Sequence, residues 1–223
     1  MIDRSYADFA WSQTQALLGI DSPSGFTSKA ALWVKEAFEA LGCPAGITNK
    51  GGVLAELGGI DGENALLLEA HTDTLGAMVC QIKGNGRLKM TNLGGMSPNN
   101  AEAENVRVYT RGGQVYEGTC QLADASVHVN GNYADTKRSF DTIEVVLDED
   151  VKNAQDVKDL GIAVGDMVCF DPRTRRTEKG YIKSRFLDDK LSVGILLGFA
   201  KFLKDSGITP ERKLYAHITV YEE

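Results

Sequence analysis

The hydrophobic pattern of this chain changes character twice along its length, and this change limits the folds that the chain can adopt. Up to about residue 74, helical patterns alternate with short strand-like runs, which is typical of an α/β sheet. From Gly76 to Asp171 the pattern is one of short strands between glycine-containing turns, such as Gly84-Asn85-Gly86. Helix and strand patterns return after Gly180. The sequence therefore predicts a small β-barrel inserted into an α/β domain.

Three segments of the predicted α/β domain determine where a site can form. Residues 64–70 contain the unbroken apolar run Ala65-Leu66-Leu67-Leu68, which predicts a central strand buried on both faces. Residues 188–204 are apolar on nearly all sides and predict a buried helix. Apolar and polar side chains alternate in residues 213–221, which predicts a strand. The predicted segments are the catalytic domain in residues 1–74 and 176–223 and the barrel in residues 75–175.

The charge and the apolar content of the chain argue against several classes of partner. The formal net charge is −7, which disfavours nucleic acid or an anionic membrane as the main partner. The most apolar run, residues 191–203, is interrupted by Lys201 and is too short to span a bilayer. The N-terminus has no apolar signal-peptide core, and the four cysteines lie far apart. We therefore expect a cytoplasmic protein with reduced, mostly buried thiols.

Metal-binding residue types are found at the ends of the predicted elements. They are His71 and Asp73 after the strand 64–70, Asp188 and Asp189 at the start of the helix, and Glu222 and Glu223 after the last strand. Ligands of open α/β sheets bind beyond the carboxyl ends of the strands, and helix N-termini face the same edge. One edge of the sheet is thus predicted to collect one imidazole and five carboxylates.

So many carboxylates at one edge would resist ionising together unless cations were present. Imidazole and carboxylate ligands without thiolate suit zinc, cobalt or manganese, and pairs of such ions serve hydrolysis. Each pair of residues also has a structural interpretation: a strand end, a helix N-cap or a solvated terminus. Their joint occurrence at one edge favours a functional site, whereas His128 and His217 lie within strand patterns and are interpreted as structural.

Five motifs resemble, in family order, the glutamyl-aminopeptidase or tetrahedral-aminopeptidase family of dinuclear metallopeptidases. They are Leu17–Gly25, Ala70–Gly76, Leu160–Asp166, Leu187–Lys190 and Val220–Glu223. The resemblance implies a phosphorylase/hydrolase-like mixed sheet flanked by helices, into which a barrel-like dimerisation domain is inserted. It also implies a metal-dependent aminopeptidase that acts on peptide substrates and self-associates, from dimers up to dodecamers.

The resemblance also implies a role for each site residue. His71 matches a ligand of one metal ion, Asp188 the carboxylate that bridges two divalent ions, and Glu223 a ligand of the second ion. Glu222 matches the general base that takes a proton from the metal-bound water, and Asp73 matches the carboxylate that orients His71. Zinc or cobalt is the expected metal, with manganese as a third option. The peptide bond that joins Asp188 to Asp189 is expected to be cis.

The chain departs from the family pattern in two ways. Tyr221 occupies a position where relatives more often have glutamine. Relatives also continue past the glutamate pair and supply one further aspartate and one further histidine ligand, so that part of the catalytic domain is absent here. Catalytic zinc usually has three protein ligands, and we therefore expect the 223-residue chain by itself to be inactive.

Three other functions compete with a peptidase. One is a non-catalytic fragment or assembly subunit of the same family, and another is a related metal-dependent deacylase. A glycoside hydrolase that uses Glu222 and Glu223 as its acid pair is disfavoured, because consecutive strand residues point in opposite directions.

Overall fold

The computed structural model describes residues 3–223 as five helices and twelve strands. The helices are α1 (Arg4–Leu18), α2 (Ser28–Ala40), α3 (Pro98–Ala101), α4 (Ala154–Asp159) and α5 (Leu187–Ser206). The strands are β1 (Ala45–Ile47), β2 (Val53–Gly58), β3 (Asp61–His71), β4 (Gly76–Ile82), β5 (Leu88–Leu93), β6 (Glu104–Tyr109), β7 (Val115–Leu122), β8 (Ile143–Leu147), β9 (Met167–Phe170), β10 (Arg175–Arg176), β11 (Ile182–Lys183) and β12 (Arg212–Thr219).

The chain divides into two compact units. One contains the chain up to Thr74 together with Pro172–Glu223, and the other is Leu75–Asp171. The second boundary therefore lies between Asp171 and Pro172, a few residues before residue 175, where the sequence analysis placed it. Residues 172–183 include the short hairpin β10–β11, which the sequence pattern did not predict.

The first unit contains a four-stranded mixed sheet in the order β1-β2-β12-β3. Strand β12 pairs antiparallel with β2 and parallel with β3. Its alternating pattern places Leu214, Ala216 and Ile218 in the core, as predicted. The parallel pairing matters most for function, because it brings the carboxyl ends of β3 and β12 to the same edge of the sheet.

Helices α1, α2 and α5 share one hydrophobic core with this sheet. The core includes Leu17 of α1, Val34 and Phe38 of α2, and Val193 and Leu197 of α5. Helix α5 approaches α1 closely through Gly194 and Gly198. A Cβ atom on Gly194 would lie 2.8 Å from the carbonyl oxygen of Ala10, and one on Gly198 would lie 2.9 Å from the Ala10 Cβ. Side chains larger than hydrogen are therefore excluded at this crossing.

Two burial predictions for this unit are wrong. Strand β3 was predicted to be central and buried on both faces, but it is the edge strand of the four-stranded sheet, and Leu67 is 47% exposed. Helix α5 was predicted to be buried all round, but Ile195 is 53% exposed. In both cases the apolar side chains are left exposed because no segment within the described residues 3–223 covers them.

Every helix within residues 3–223 falls short of the length and hydrophobicity that a bilayer-spanning helix needs.

The second unit is a closed six-stranded barrel in the order β4-β5-β8-β7-β6-β9. The strands on either side of the predicted turn Gly84-Asn85-Gly86 form the antiparallel hairpin β4–β5, and β6–β7 is a second antiparallel hairpin. The ring closes where Ala77 of β4 pairs with Val168 of β9. Buried apolar side chains of all six strands fill the interior, among them Val79, Met90 and Phe170. The inserted barrel that the sequence predicts is thus confirmed.

One ion-pair network in the barrel makes its stability depend on pH. The Glu144 side chain is 3% exposed and accepts hydrogen bonds from Lys83 Nζ (2.5 Å) and Arg87 NH1 (2.6 Å). Burial alone would raise the pKa of Glu144, but the hydrogen bonds and charges of Lys83 and Arg87 outweigh it and hold the pKa below its usual value. A lowered folded-state pKa contributes stability above the unfolded pKa, and this contribution is lost as the pH falls through the folded pKa.

We expect Glu144→Gln to lower the free energy of unfolding at pH 7 by about 1.5–3 kcal/mol, the usual size of a hydrogen bond to a charged group. The difference from the unaltered chain should shrink as the pH falls towards and through the folded-state pKa of Glu144, because the carboxyl group then loses its charge. Urea denaturation at pH 7 and pH 3 measures both values. Asp141→Asn is the matched control, since Asp141 pairs with Lys89 but is 82% exposed, and its effect on the free energy of unfolding should be clearly smaller. An equal effect of Glu144→Gln at both pH values would contradict the prediction.

Candidate metal centre

The candidate site lies at the edge of the sheet where β3 and β12 end in parallel. His71, the last residue of β3, is in register with Thr219, the last residue of β12. The Thr72 amide donates to the Thr219 carbonyl oxygen over 3.0 Å, which holds the two strand ends together. Glu222 and Glu223 follow β12 after two residues, Val220 and Tyr221. The structure therefore brings the imidazole and the two glutamates to one edge, where the sequence predicted them.

Asp188 reaches this edge from the start of α5. The Asp188 Oδ1 atom is 3.2 Å from His71 Nε2, and the Asp188 side chain is 89% exposed. Asp188 and Asp189 have non-helical backbone angles at the first turn of α5. The peptide bond between them is cis, which confirms the expectation from the resemblance. Asp188 is thus adjacent to the imidazole, as a bridging or terminal ligand requires.

The residues present fit a divalent metal ion. One donor atom of each of His71, Glu222 and Glu223 lies within 4.8 Å of the donor atoms of the other two. Glu222 Oε2 is 3.6 Å from His71 Nε2. Neutral imidazole nitrogen and carboxylate oxygen are the donors that zinc, cobalt and manganese accept, and these distances need little closing to reach metal–ligand geometry.

Asp73 is fully buried and contacts both sides of the site. The backbone carbonyl oxygen of Asp73 is 3.0 Å from His71 Nδ1, whereas the nearest carboxylate oxygen of Asp73 is 3.4 Å away. The carboxylate instead accepts hydrogen bonds from the backbone amides of Glu222 and Glu223, at 3.0 and 3.1 Å. Residue 73 therefore orients the imidazole mainly through its backbone, and its side chain holds the glutamate pair.

The surrounding charges shift the pKa values of two site residues. Burial lowers the pKa of His71, but the Asp188 hydrogen bond and the charges of Asp73 and Glu222 outweigh it, and the net pKa of His71 is raised. The pKa of Glu223 is also raised, first by burial and then by the negative charges of Glu222, Asp188 and Asp73, against the opposing effect of His71. Negative charge accumulates at this edge, which is the electrostatic setting that attracts a cation.

Two contacts at the site were not found by sequence reasoning. Ser24 Oγ donates to Asp73 Oδ2 over 2.7 Å, whereas the sequence gives Ser24 no role beyond membership of the motif Leu17–Gly25. Lys190 is 1% exposed, and its Nζ donates to the carbonyl oxygens of Leu17 and Ile20. Lys190 belongs to the motif Leu187–Lys190, but a cation placed just after two aspartates also resembles an ordinary solvated helix start, and the sequence indicates no buried role for it.

Neither of the two histidines interpreted as structural belongs to the cluster of His71, Glu222 and Glu223. His128 lies in an exposed turn of the second unit, not in the strand that its pattern indicated. His217 does lie in a strand, β12, and its Nδ1 is 3.0 Å from Glu69 Oε1 on β3. This pair joins two neighbouring strands on the exposed face of the sheet.

Comparison with known proteins identifies the family of this chain. The M42 glutamyl aminopeptidase model matches residues 51–223. The protein named "Putative aminopeptidase YhfE" from Bacillus subtilis (strain 168) is 41% identical over 181 residues, which cover 81% of this chain and 52% of that protein. The chain spans about half the length of the curated relatives it matches, with 52%, 55% and 44% of three of them covered.

Solved structures agree on the fold. The TET aminopeptidase from the marine sediment archaeon Thaumarchaeota archaeon SCGC AB-539-E09 superposes with a TM-score of 0.86 at 22% identity, covering 97% of this chain and 59% of that one. The Pyrococcus horikoshii TET1 peptidase, described as able to assemble into a tetrahedron or a large octahedral shell, superposes with a TM-score of 0.77 at 20% identity, covering 95% and 61%. From the family match and the Bacillus subtilis relative, the chain belongs to the M42 glutamyl aminopeptidase family.

Proposed function

We propose that this chain carries the metal-binding edge of an aminopeptidase that removes N-terminal residues from peptides. The observation that carries the proposal is the convergence of His71, Glu222 and Glu223 within 4.8 Å, with Asp188 3.2 Å from the imidazole. These residues come from three elements that are distant in sequence, and they meet at the parallel strand ends of an M42 family fold.

In this proposal each residue has one role. His71 and Glu223 would each help to hold one of two divalent ions, and Asp188 would contribute to holding both. The ions, zinc or cobalt with manganese as a third option, would polarise the scissile carbonyl group and lower the pKa of the attacking water. Glu222 takes the proton from that water, since its carboxylate is 62% exposed and 3.6 Å from His71 Nε2, and it can deliver the proton to the leaving amine.

The proposal includes self-association through the barrel and a cytoplasmic setting. The barrel presents exposed apolar side chains, including Val115, Val127 and Val164, which suit burial in an interface. The assembly described for the Pyrococcus horikoshii TET1 peptidase supports this part of the proposal by likeness of fold alone. The cysteines are free thiols, three of them buried, which suits a reducing compartment.

The proposed activity is tested with two proteins. One is residues 1–223 alone, and the other is a chimera in which this chain is joined to the part of the Bacillus subtilis relative that lies beyond its matched region. Each is stripped with EDTA, supplied with zinc, cobalt or manganese, and assayed with a panel of aminoacyl p-nitroanilides. We expect metal-restored release of p-nitroaniline by the chimera, loss of that activity in its His71→Ala variant, and no turnover by residues 1–223 alone.

Other outcomes would support the competing functions. A folded chimera that binds metal but cleaves only N-acyl amino acids would indicate a deacylase. A folded chimera with no hydrolytic activity on either substrate class would indicate a non-catalytic member of the family. Hydrolysis that survives EDTA would contradict the metal-dependent proposal.

A further inference from the structure

The Asp73 carboxylate accepts hydrogen bonds from two parts of the chain that are distant in sequence. It is fully buried, and its Oδ2 atom accepts from Ser24 Oγ at 2.7 Å, from the Glu222 amide at 3.0 Å and from the Glu223 amide at 3.1 Å. Its Oδ1 atom is 3.2 Å from the same Glu222 amide. The side chain thus joins a loop near residue 24 to the glutamate pair at residues 222 and 223.

The donor Ser24 sits on a loop that is itself fixed. The Thr74 amide donates to the Ser22 carbonyl oxygen at 2.9 Å, and the Ser24 amide donates to the Thr74 carbonyl oxygen at 3.3 Å. Ser22 Oγ donates to the Thr72 carbonyl oxygen at 2.7 Å. Four hydrogen bonds therefore connect residues 22–24 to residues 72–74, three to the backbone and one, from Ser24, to the Asp73 carboxylate.

The glutamate pair depends on this carboxylate for its backbone position. Strand β12 ends at Thr219, so the amides of Glu222 and Glu223 lie beyond the ladder that pairs β12 with β3. Backbone amides outside secondary structure need another acceptor, and Asp73 provides it for both. Because one carboxylate accepts hydrogen bonds from both amides, its orientation determines the backbone position from which each glutamate side chain extends.

We propose that Ser24 is a positioning residue of the site: by fixing the rotation of the Asp73 carboxylate, it holds the Glu222–Glu223 backbone beside His71. The catalytic significance of this inference rests on the proposed function, but the contact itself is tested without metal or substrate. Ser24 acts through Asp73 and touches neither of the glutamate side chains that the proposal assigns to chemistry and metal binding.

The test compares Ser24→Ala with Ser22→Ala in the 223-residue chain. Each variant loses one hydroxyl hydrogen bond of 2.7 Å from the same loop, but only Ser24→Ala removes a donor from the Asp73 carboxylate. Amide hydrogen exchange is followed by NMR in the metal-free chain. We expect Ser24→Ala to raise the exchange rates of the Glu222 and Glu223 amides about tenfold, as loss of a hydrogen bond to a charged group implies. Ser22→Ala should change them less than about twofold, and Ser24→Thr, which keeps the hydroxyl, should restore protection.

An internal reference separates positioning from general loosening. The Thr72 amide, bonded to the Thr219 carbonyl oxygen, reports on the neighbouring strand ends and should keep its exchange rate in Ser24→Ala. Calorimetric titration with cobalt(II) chloride gives a second readout. We expect the cobalt(II) affinity of Ser24→Ala to fall about 10- to 100-fold, the usual loss when a residue that orients metal ligands through hydrogen bonds is removed.

The outcomes distinguish the inference from the proposed function. Unchanged exchange at Glu222 and Glu223 in Ser24→Ala, or equal increases in Ser24→Ala and Ser22→Ala, overturns the inference. If the chimera binds no cobalt while the exchange pattern of the 223-residue chain follows the expectation, the inference stands and the metal site of the proposed function is contradicted.

Discussion

Replacing Glu222 by glutamine is expected to lower the turnover of the active chimera by about 10²- to 10⁴-fold, the usual contribution of a general base. Glutamine has almost the same size and keeps the backbone amide that donates to Asp73, but it cannot accept a proton at neutral pH. The cobalt(II) affinity should therefore change little. Steady-state kinetics with an aminoacyl p-nitroanilide, together with calorimetric titration of cobalt(II), measures both quantities.

The neighbouring variant Glu223→Gln is the matched comparison, because it makes the same chemical change one residue away. Glu223 is assigned as a metal ligand, so this variant should lose metal affinity by more than the 10- to 100-fold expected when only a supporting residue is lost. Raising the metal concentration should restore part of its activity. The structure places both glutamates in the same cluster with His71, so the two roles are separated only by these measurements. The reverse pattern, with metal affinity lost in Glu222→Gln, would exchange the two assignments.

Glu56→Gln provides a control for the removal of a carboxylate elsewhere on the same sheet. Glu56 lies on β2, and its carboxylate is 40% exposed and pairs with Lys213. Its replacement should leave turnover within about twofold, because Glu56 does not belong to the cluster of His71, Glu222 and Glu223.

Local patterns in the sequence predicted the elements of the site well because they depend on neighbouring residues. The alternation at Leu214, Ala216 and Ile218 fixed which face of β12 is buried. The general rule that ligands bind beyond the carboxyl ends of strands then predicts from the sequence that His71 and the glutamate pair lie at one edge of the sheet. The parallel pairing of β3 and β12, with His71 opposite Thr219, shows why that rule holds here.

Burial and long-range hydrogen bonds could not be predicted in the same way. An apolar run such as Leu66–Leu68 favours burial, but its actual exposure depends on which other segments pack against it, and Leu66 and Leu67 are 38% and 47% exposed. The hydrogen bond between Ser24 and Asp73 joins residues 49 positions apart. The residues next to Ser24 do not indicate whether its hydroxyl binds a buried carboxylate or water. Such contacts follow only from the tertiary fold.

Lys190 gives the largest expected effect on stability. The side chain is 1% exposed, and its Nζ donates to the carbonyl oxygens of Leu17 at 3.1 Å and Ile20 at 2.6 Å. Leu17 is in the last turn of α1, where carbonyl groups have no partner within the helix and the helix dipole favours a cation. Lys190→Met keeps most of the volume but removes the charge and both hydrogen bonds. We expect the free energy of unfolding to fall by about 3 kcal/mol or more, since hydrogen bonds to charged groups contribute about 1.5–3 kcal/mol each.

Urea denaturation measures this loss, and Lys201→Met is the matched control. Lys201 lies on the same helix, but its side chain is 33% exposed and pairs with Asp205 one turn later, a contact that contributes only about 0.3–0.5 kcal/mol. A cost below about 1 kcal/mol for Lys190→Met would show that water or a shifted backbone replaces the lost donor.

Lys190 also bears on the site, because it directly follows Asp188 and Asp189 at the start of α5. A site that depends on Asp188 standing 3.2 Å from His71 needs the start of α5 to be fixed, and Lys190 fixes it by binding the end of α1. Lys190→Met should therefore also weaken cobalt(II) binding at urea concentrations where the variant remains folded.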